Sequence, residues 1–114
     1  MKIRRLSALA FLCAAGFAAQ AASFDCQKAH TPTEHAVCSH RALNDADVKM
    51  AATYGIVKRL MPMGTRGEIQ DQQVKWLQLR DQCRDNASCL SDVYRMRQQK
   101  LDLYLERVYR QGPF

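Results

Sequence analysis

The sequence lacks the short motifs that mark common catalytic sites, and it contains few residues that interrupt helices. It has no glycine-rich phosphate loop, no serine elbow and no metalloprotease helix motif. Only three prolines and five glycines occur among 114 residues, and no stretch alternates apolar and polar residues as a half-buried strand does. These absences argue against an enzyme and predict an all-α protein.

The single long apolar run is too short to span a membrane, which needs roughly 20 apolar residues. Residues 6–15 are rich in alanine and follow a positively charged segment, and residues 19–21 (Ala-Gln-Ala) fit a small-residue cleavage site. Residues 1–22 are therefore predicted to be a signal peptide, cleaved after Ala21 or Ala22, that directs export to the periplasm or the medium. No stable membrane insertion is expected after cleavage.

The remaining chain of about 92 residues is near the lower limit for one self-stabilising domain, predicted at residues 23–110 with a tail at 111–114. Loss of Lys2, Arg4 and Arg5 with the leader lowers the formal net charge from +6 to +3. This excess is too small to indicate a nucleic-acid partner. The basic residues of the last predicted helix alternate with acidic ones and predict a solvated face: Arg95, Arg97, Lys100, Arg107 and Arg110.

Cysteines are the strongest compositional signal. Once Cys13 is removed with the leader, an even set of four remains in a short exported chain: Cys26, Cys38, Cys83 and Cys89. This pattern indicates two disulfides and allows three connectivities. The two local pairings, Cys26–Cys38 and Cys83–Cys89, are favoured, because crossed pairing would require the N-terminal loop to lie beside the corner between residues 83 and 89.

Capping signals and apolar spacing predict one short helix and three longer ones. Thr31, Pro32 and Glu34 form the start signal of a short helix over 32–40. Helices follow over 43–60, 68–84 and 88–110, with three-and-four apolar spacing on one face of each. Residues 61–67 contain one proline and two glycines and predict a loop. Asn86 is expected to adopt the left-handed conformation at the last corner, and Ser88 to cap the last helix.

The cysteine-containing N-terminal region contains residue types that bind metals or act as thiol nucleophiles. His30, His35 and His40 recur every five residues beside Cys26 and Cys38, but this spacing does not place histidines on one helical face, and oxidation competes for the thiols. His35 and Cys38 could resemble a nucleophile with its base, but a disulfide-bonded cysteine offers no thiolate. No metal, cofactor or catalytic residue is predicted.

Several polar and aromatic residues lie next to the predicted core. Trp76, the only tryptophan, is expected to anchor the core. Arg80 lies one helical turn further on, with Asp81 beside it, and an arginine on an inner helix edge usually pairs with a carboxylate. Asp47 is the predicted partner, through an Arg80–Asp47 or an Arg97–Asp47 pair.

The order of these residues resembles the LprI-type lysozyme-inhibitor family of small exported bacterial proteins. Two patterns carry the resemblance: a cysteine followed at fixed spacing by Glu34 and a second cysteine, and the run from Trp76 to Cys83. The matching residues are Phe24-Asp25-Cys26, Thr33-Glu34, Val37-Cys38, Leu43, Asp47, Tyr54, Trp76-Leu77, Arg80-Asp81, Cys83, Cys89-Leu90, Arg97 and Leu101.

The resemblance implies an all-helical, disulfide-tied protein outside the cytoplasm whose partner is lysozyme. Common lysozymes are strongly basic and this chain is mildly basic, so long-range attraction would not assist the encounter. Affinity would then come from local complementarity, such as a carboxylate or loop inserted into the lysozyme cleft, with Asp25 or the segment Met61–Gly67 as candidates. The alternative is a structural or interaction module of the envelope with no enzyme target.

Overall fold

The computed structural model describes residues 22–112, and within this range all regular structure is helical. It contains a single 3₁₀ turn and four α-helices: Cys26–Lys28, α1 (Pro32–Ser39), α2 (Arg41–Leu60), α3 (Met63–Gln82) and α4 (Ala87–Gln111). The prediction of an all-α fold with one short N-terminal helix and three longer helices is confirmed. Among these residues no helix has the length and apolar character that crossing a membrane requires. Apart from Ala22, the predicted signal peptide lies outside the described residues.

α1 begins where its capping signal predicts. The Thr31 hydroxyl accepts a hydrogen bond from the backbone N–H of Glu34 at 3.1 Å, and Pro32 occupies the first helical position. The helix buries Ala36 and Val37 in the hydrophobic core, and it packs mainly against α2.

The core lies along the interface between α2 and α4, to which α3 adds a third face. Part of each predicted apolar stripe is fully buried, and each fully buried aliphatic side chain contributes about 1.5–3 kcal/mol. The main buried apolar residues are Leu43, Met50 and Val57 of α2, Ile69 and Trp76 of α3, and Leu90, Tyr94, Leu101 and Val108 of α4.

The predicted loop over Met61–Gly67 is wrong, because α3 already begins at Met63. Pro62 is at the N-cap, where its missing N–H costs no helical hydrogen bond. Gly64 lies in an exposed part of the first turn, where glycine costs only about 1 kcal/mol relative to alanine. The Arg66 guanidinium compensates by donating to carbonyl groups at the end of α2, including that of Lys58 at 2.9 Å.

The corner between α3 and α4 differs from its prediction in two positions. Arg84, with φ of 54°, takes the left-handed conformation that was expected of Asn86. Asn86 instead caps α4, because its side-chain oxygen accepts a hydrogen bond from the N–H of Cys89 at 3.0 Å. Asn86 thus takes the capping role predicted for Ser88.

Both local disulfides are present, Cys26–Cys38 and Cys83–Cys89, as predicted. The N-terminal region nevertheless lies beside the α3–α4 corner, contrary to the expectation used to disfavour crossed pairing. The Thr33 hydroxyl donates to the Arg84 carbonyl at 2.8 Å. The two disulfides therefore close separate turns that are held together by this hydrogen bond.

Candidate functional site

Asp47 lies at the centre of a buried polar cluster. Its carboxylate is fully buried and accepts two short hydrogen bonds, from the Tyr94 hydroxyl to Oδ1 and from the Ser23 backbone N–H to Oδ2, both at 2.7 Å. These donors come from α4 and from the segment before the first turn. Asp47 therefore joins three parts of the chain that are far apart in sequence.

The predicted ion pairs of Asp47 with Arg80 or Arg97 are wrong. Tyr94 lies between Asp47 and Arg80, and its hydroxyl accepts a long hydrogen bond of 3.5 Å from Arg80 Nη1. Arg80 pairs instead with its neighbour Asp81, with nitrogen–oxygen distances of 3.0 and 2.9 Å. Burial and the Asp47 charge raise the pKa of Tyr94, so this tyrosine remains a neutral hydrogen-bond donor.

Trp76 fixes the orientation of this cluster, as its predicted role of core anchor requires. Its indole N–H donates to the Val93 carbonyl at 3.0 Å, and its ring meets the Tyr94 ring edge-to-face with centroids 5.1 Å apart. The Arg80 guanidinium lies 6.0 Å from the Trp76 ring centroid. Burial opposes ionisation of Arg80, but Tyr94 and Asp81 outweigh this effect and raise its pKa.

Arg97 is buried, with 3 % of its surface exposed, and so does not belong to the solvated face predicted for α4. Its Nε donates to the Gln73 side-chain oxygen at 2.9 Å, and burial lowers its pKa. Tyr54 is half-buried, and Lys58 Nζ lies 5.3 Å from its ring centroid. These contacts support the core, and none of them forms a catalytic arrangement.

A groove of about 290 Å³ runs between α3 and α4 on the side of the molecule that bears Trp76. Its apolar part includes Leu79 and Met96, whose side chains are 41 % and 56 % exposed. Lys75 and Lys100 also line it. An exposed apolar groove with cationic residues is a candidate contact surface for a protein.

The α3–α4 corner, residues 83–89, is a second candidate contact surface. The Cys83–Cys89 disulfide closes it, Asn86 caps the following helix, and Thr33 holds the Arg84 carbonyl from α1. Arg84 and Asp85 are both exposed at its tip. The corner therefore presents two opposite charges on a backbone that is fixed from three sides.

The earlier candidates for insertion into a cleft are less suitable. The Asp25 carboxylate accepts a hydrogen bond from the Gln27 N–H at 3.0 Å and caps the 3₁₀ turn. Most of the segment Met61–Gly67 is helical. Within residues 22–112, no group of three or more histidine, cysteine, aspartate or glutamate residues is arranged to hold a metal ion.

The sequence pattern indicates that Asp47, Trp76 and Arg80 lie next to the core, but it assigns Arg97 both to a solvated face and to a pair with Asp47, and it does not predict the observed partners of Asp47. The helical spacing predicts either Val93 or Tyr94 at one buried position and gives no polar role to Tyr94 or to Ser23. The hydrogen bond from Tyr94 connects residues 47 positions apart, and that from Ser23 connects residues 24 positions apart. No local spacing signal exists for contacts of this kind.

Comparison with known protein families gives a match over most of the chain. The family described as "Lysozyme inhibitor LprI" matches residues 25–110, a range that includes both disulfides, Asp47 with its Tyr94 donor, and the α3–α4 corner. No curated protein and no solved structure matches the chain. Because the match covers most of the sequence, the chain belongs to the LprI lysozyme-inhibitor family.

Proposed function

We propose that this protein is exported, has no catalytic activity of its own and inhibits lysozyme by binding to it. The observation that carries the proposal is the family match over residues 25–110. The two disulfides support a location outside the cytoplasm, since such bonds persist in oxidising compartments. A helical domain tied by two disulfides fits a binder that acts by occupying a cleft.

The α3–α4 corner is the element that enters the lysozyme cleft in this proposal. Arg84 holds a left-handed backbone conformation that costs a non-glycine residue about 1–2 kcal/mol. Glycine would occupy this helix end more easily. Strained backbone conformations occur most often at functional sites. The exposed Arg84 side chain is therefore the candidate contact group of this corner.

The charges of the corner suit a lysozyme. Glycosidases of this type hold two carboxyl groups at the bond they cleave, and a guanidinium is the side chain best shaped to bind carboxylates. Arg84 would pair with these groups, while Asp85 would face the basic surface around the cleft. Local complementarity of this kind provides affinity even though both proteins carry a net positive charge.

Lysis of peptidoglycan tests the proposal. Exported, processed protein is added at micromolar concentration to lysozymes of several classes, and the rate of lysis is compared with that of Arg84→Gly and Arg110→Gln variants. Inhibition by the wild type and by the Arg110→Gln control supports the proposed function. Inhibition by Arg84→Gly that is at least tenfold weaker supports the α3–α4 corner as the contact surface, since removal of a charged partner that is buried in a complex costs about 2–5 kcal/mol. Wild-type protein that slows none of these lysozymes overturns the function. Equal inhibition by all three proteins supports lysozyme inhibition but shows that Arg84 of the α3–α4 corner does not contribute to it.

A second candidate function is an envelope interaction module with no enzyme target. The observation in its favour is the α3–α4 groove, where exposed Leu79 and Met96 adjoin two lysines. Such a groove suits a partner segment that is apolar and acidic, unlike a basic lysozyme. Capture from an envelope extract, compared with a Met96→Glu variant, distinguishes the two: an endogenous envelope protein lost with the variant favours the module.

A further inference from the structure

The buried carboxylate of Asp47 has strong hydrogen bonds but no cationic partner among the described residues. The Ser23 N–H and the Tyr94 hydroxyl each donate to it at 2.7 Å. Within residues 22–112, no lysine, arginine or histidine nitrogen lies within 4.0 Å of Asp47. Arg80 reaches it only through the Tyr94 hydroxyl. A fully buried carboxylate is costly unless a positive charge compensates it.

The donor on the outer side of Asp47 is the backbone nitrogen next to the predicted cleavage site. Ser23 follows Ala22 directly, and the signal peptide is predicted to end at Ala21 or Ala22. Ala22 is itself buried and packs with the hydrophobic core. The start of the processed chain is therefore placed against Asp47 by contacts that the fold already makes.

Processing changes the charge at this position. A signal peptidase hydrolyses the peptide bond with one water molecule: the hydroxyl joins the carbonyl carbon of the leader, and a proton joins the nitrogen of the new first residue. This amine takes a further proton from solvent to become an ammonium ion. Cleavage after Ala22 places the ammonium on the nitrogen that lies 2.7 Å from Asp47 Oδ2. Cleavage after Ala21 places it one residue away, at most about 3.6 Å from that nitrogen.

We infer that Asp47 is the receptor for the amino terminus that removal of the leader creates. In the unprocessed chain, the Ser23 nitrogen is a neutral amide and gives only a hydrogen bond. In the processed chain, the ammonium forms an ion pair with the buried carboxylate while Tyr94 keeps its place on the other oxygen. Cleavage thus supplies the positive charge that pairs with Asp47, and the processed domain is more stable than the same domain in the precursor. This inference is independent of the proposed lysozyme target.

Selective chemical modification of the α-amine tests the inference on the exported protein. The amino terminus is first identified by mass spectrometry. The α-amine is then converted to a carbonyl group, an aldehyde where the first residue is glycine and a ketone otherwise, by transamination with pyridoxal phosphate, which takes up the amine nitrogen and spares lysine side chains. The wild type is compared with Asp47→Asn and with a precursor carrying two extra glycines directly after the cleavage site that mass spectrometry identifies. The insertion keeps the Ser23 hydrogen bond, but it moves the ammonium away from Asp47.

The expected result is a chain that begins at Ala22 or Ser23 and whose α-amine reacts about tenfold more slowly than that of the glycine-insertion variant. An opposite charge within about 4–6 Å raises the pKa of an amine by one unit or more. The fraction of unprotonated α-amine, which is the reactive form, is then about tenfold smaller. Modification should lower the melting temperature of the wild type but not that of the insertion variant. This comparison stands even where Asp47→Asn fails to fold.

Three results would overturn the inference. These are a purified exported protein that retains its leader, a chain that starts beyond Ser23, and equal α-amine reactivity in the wild type and the insertion variant.

Discussion

The Tyr94 hydroxyl donates a 2.7 Å hydrogen bond to Oδ1 of the fully buried Asp47, and this bond ties α4 to α2. Tyr94 also accepts from Arg80 and packs edge-to-face on Trp76, so one side chain connects three helices. Its partner is a charged group, and hydrogen bonds to charged groups are stronger than those between neutral ones.

Replacement of Tyr94 by phenylalanine should lower the free energy of unfolding by about 1.5–3 kcal/mol, because a buried carboxylate loses one of its two donors. Urea unfolding followed by circular dichroism measures the change. Tyr109→Phe is the matched control, since Tyr109 is 71 % exposed and should be within about 0.5 kcal/mol of wild type. Equal stabilities of the two variants would show that the Tyr94–Asp47 bond contributes nothing.

The stability of the protein should fall at alkaline pH through Tyr94. Burial and the Asp47 charge raise the pKa of Tyr94 in the folded state, so the unfolded chain releases this proton first as pH rises. The stability that this shift provides is fully present below about pH 10, the ordinary tyrosine pKa, and is lost as pH rises through the folded pKa. Urea midpoints between pH 9 and about 11 should therefore decrease more steeply for the wild type than for Tyr94→Phe. Parallel curves would contradict this prediction.

Loss of either disulfide should destabilise the domain by about 2–3 kcal/mol in the loop-entropy model. The Cys26–Cys38 bridge spans 12 residues and the Cys83–Cys89 bridge spans 6, so the costs of the two paired serine replacements should be similar. For a small domain with about 5–15 kcal/mol of stability, full reduction should lower the melting temperature strongly. An unchanged melting temperature after complete reduction, checked by thiol titration, would refute the structural role of both bridges.

Arg97 and Gln73, which are joined by a hydrogen bond, should be replaceable together by apolar residues without loss of stability. Arg97 is a buried cation whose pKa burial lowers, and Gln73 is its hydrogen-bond acceptor. The double variant Gln73→Leu/Arg97→Met should be as stable as wild type or more stable, because well-packed apolar residues often replace buried charges without loss. Gln73→Leu alone should cost about 2–3 kcal/mol, since it leaves the guanidinium without this partner.

Chemical unfolding of the four proteins of this cycle measures the coupling. Arg80→Met serves as the comparison, because Arg80 is paired with Asp81 and bonded to Tyr94, and it should destabilise the protein. The interpretation is that the fold does not need the Arg97 charge for its stability. A double variant that is less stable than either single variant would contradict it.

Local patterns predicted the helices and their buried faces well. The start of α1 directly after the Thr31 N-cap followed from its capping signal, and the positions of Trp76 and Arg80 beside the core followed from their spacing of one helical turn. Such signals are local, since a helix needs only neighbouring residues for its cap and its periodicity. The segment Met61–Gly67 was an exception, because Arg66 and tertiary packing support a helix that proline and glycine alone disfavour.

The sequence by itself determined the helical class and the membership in a family, because each is encoded in short spacing or in an ordered set of residues. For the disulfides it left three connectivities and favoured the local one, which the structure contains. The tertiary structure alone decided that Asp47 meets Tyr94 and Ser23 and that Arg84 and Asp85 form an exposed tip. These contacts depend on how separate helices pack, and packing sums many small interactions over distant positions. For this reason a charge pattern suggested an arginine as the partner of Asp47, whereas the folded chain places a tyrosine and a backbone amide there.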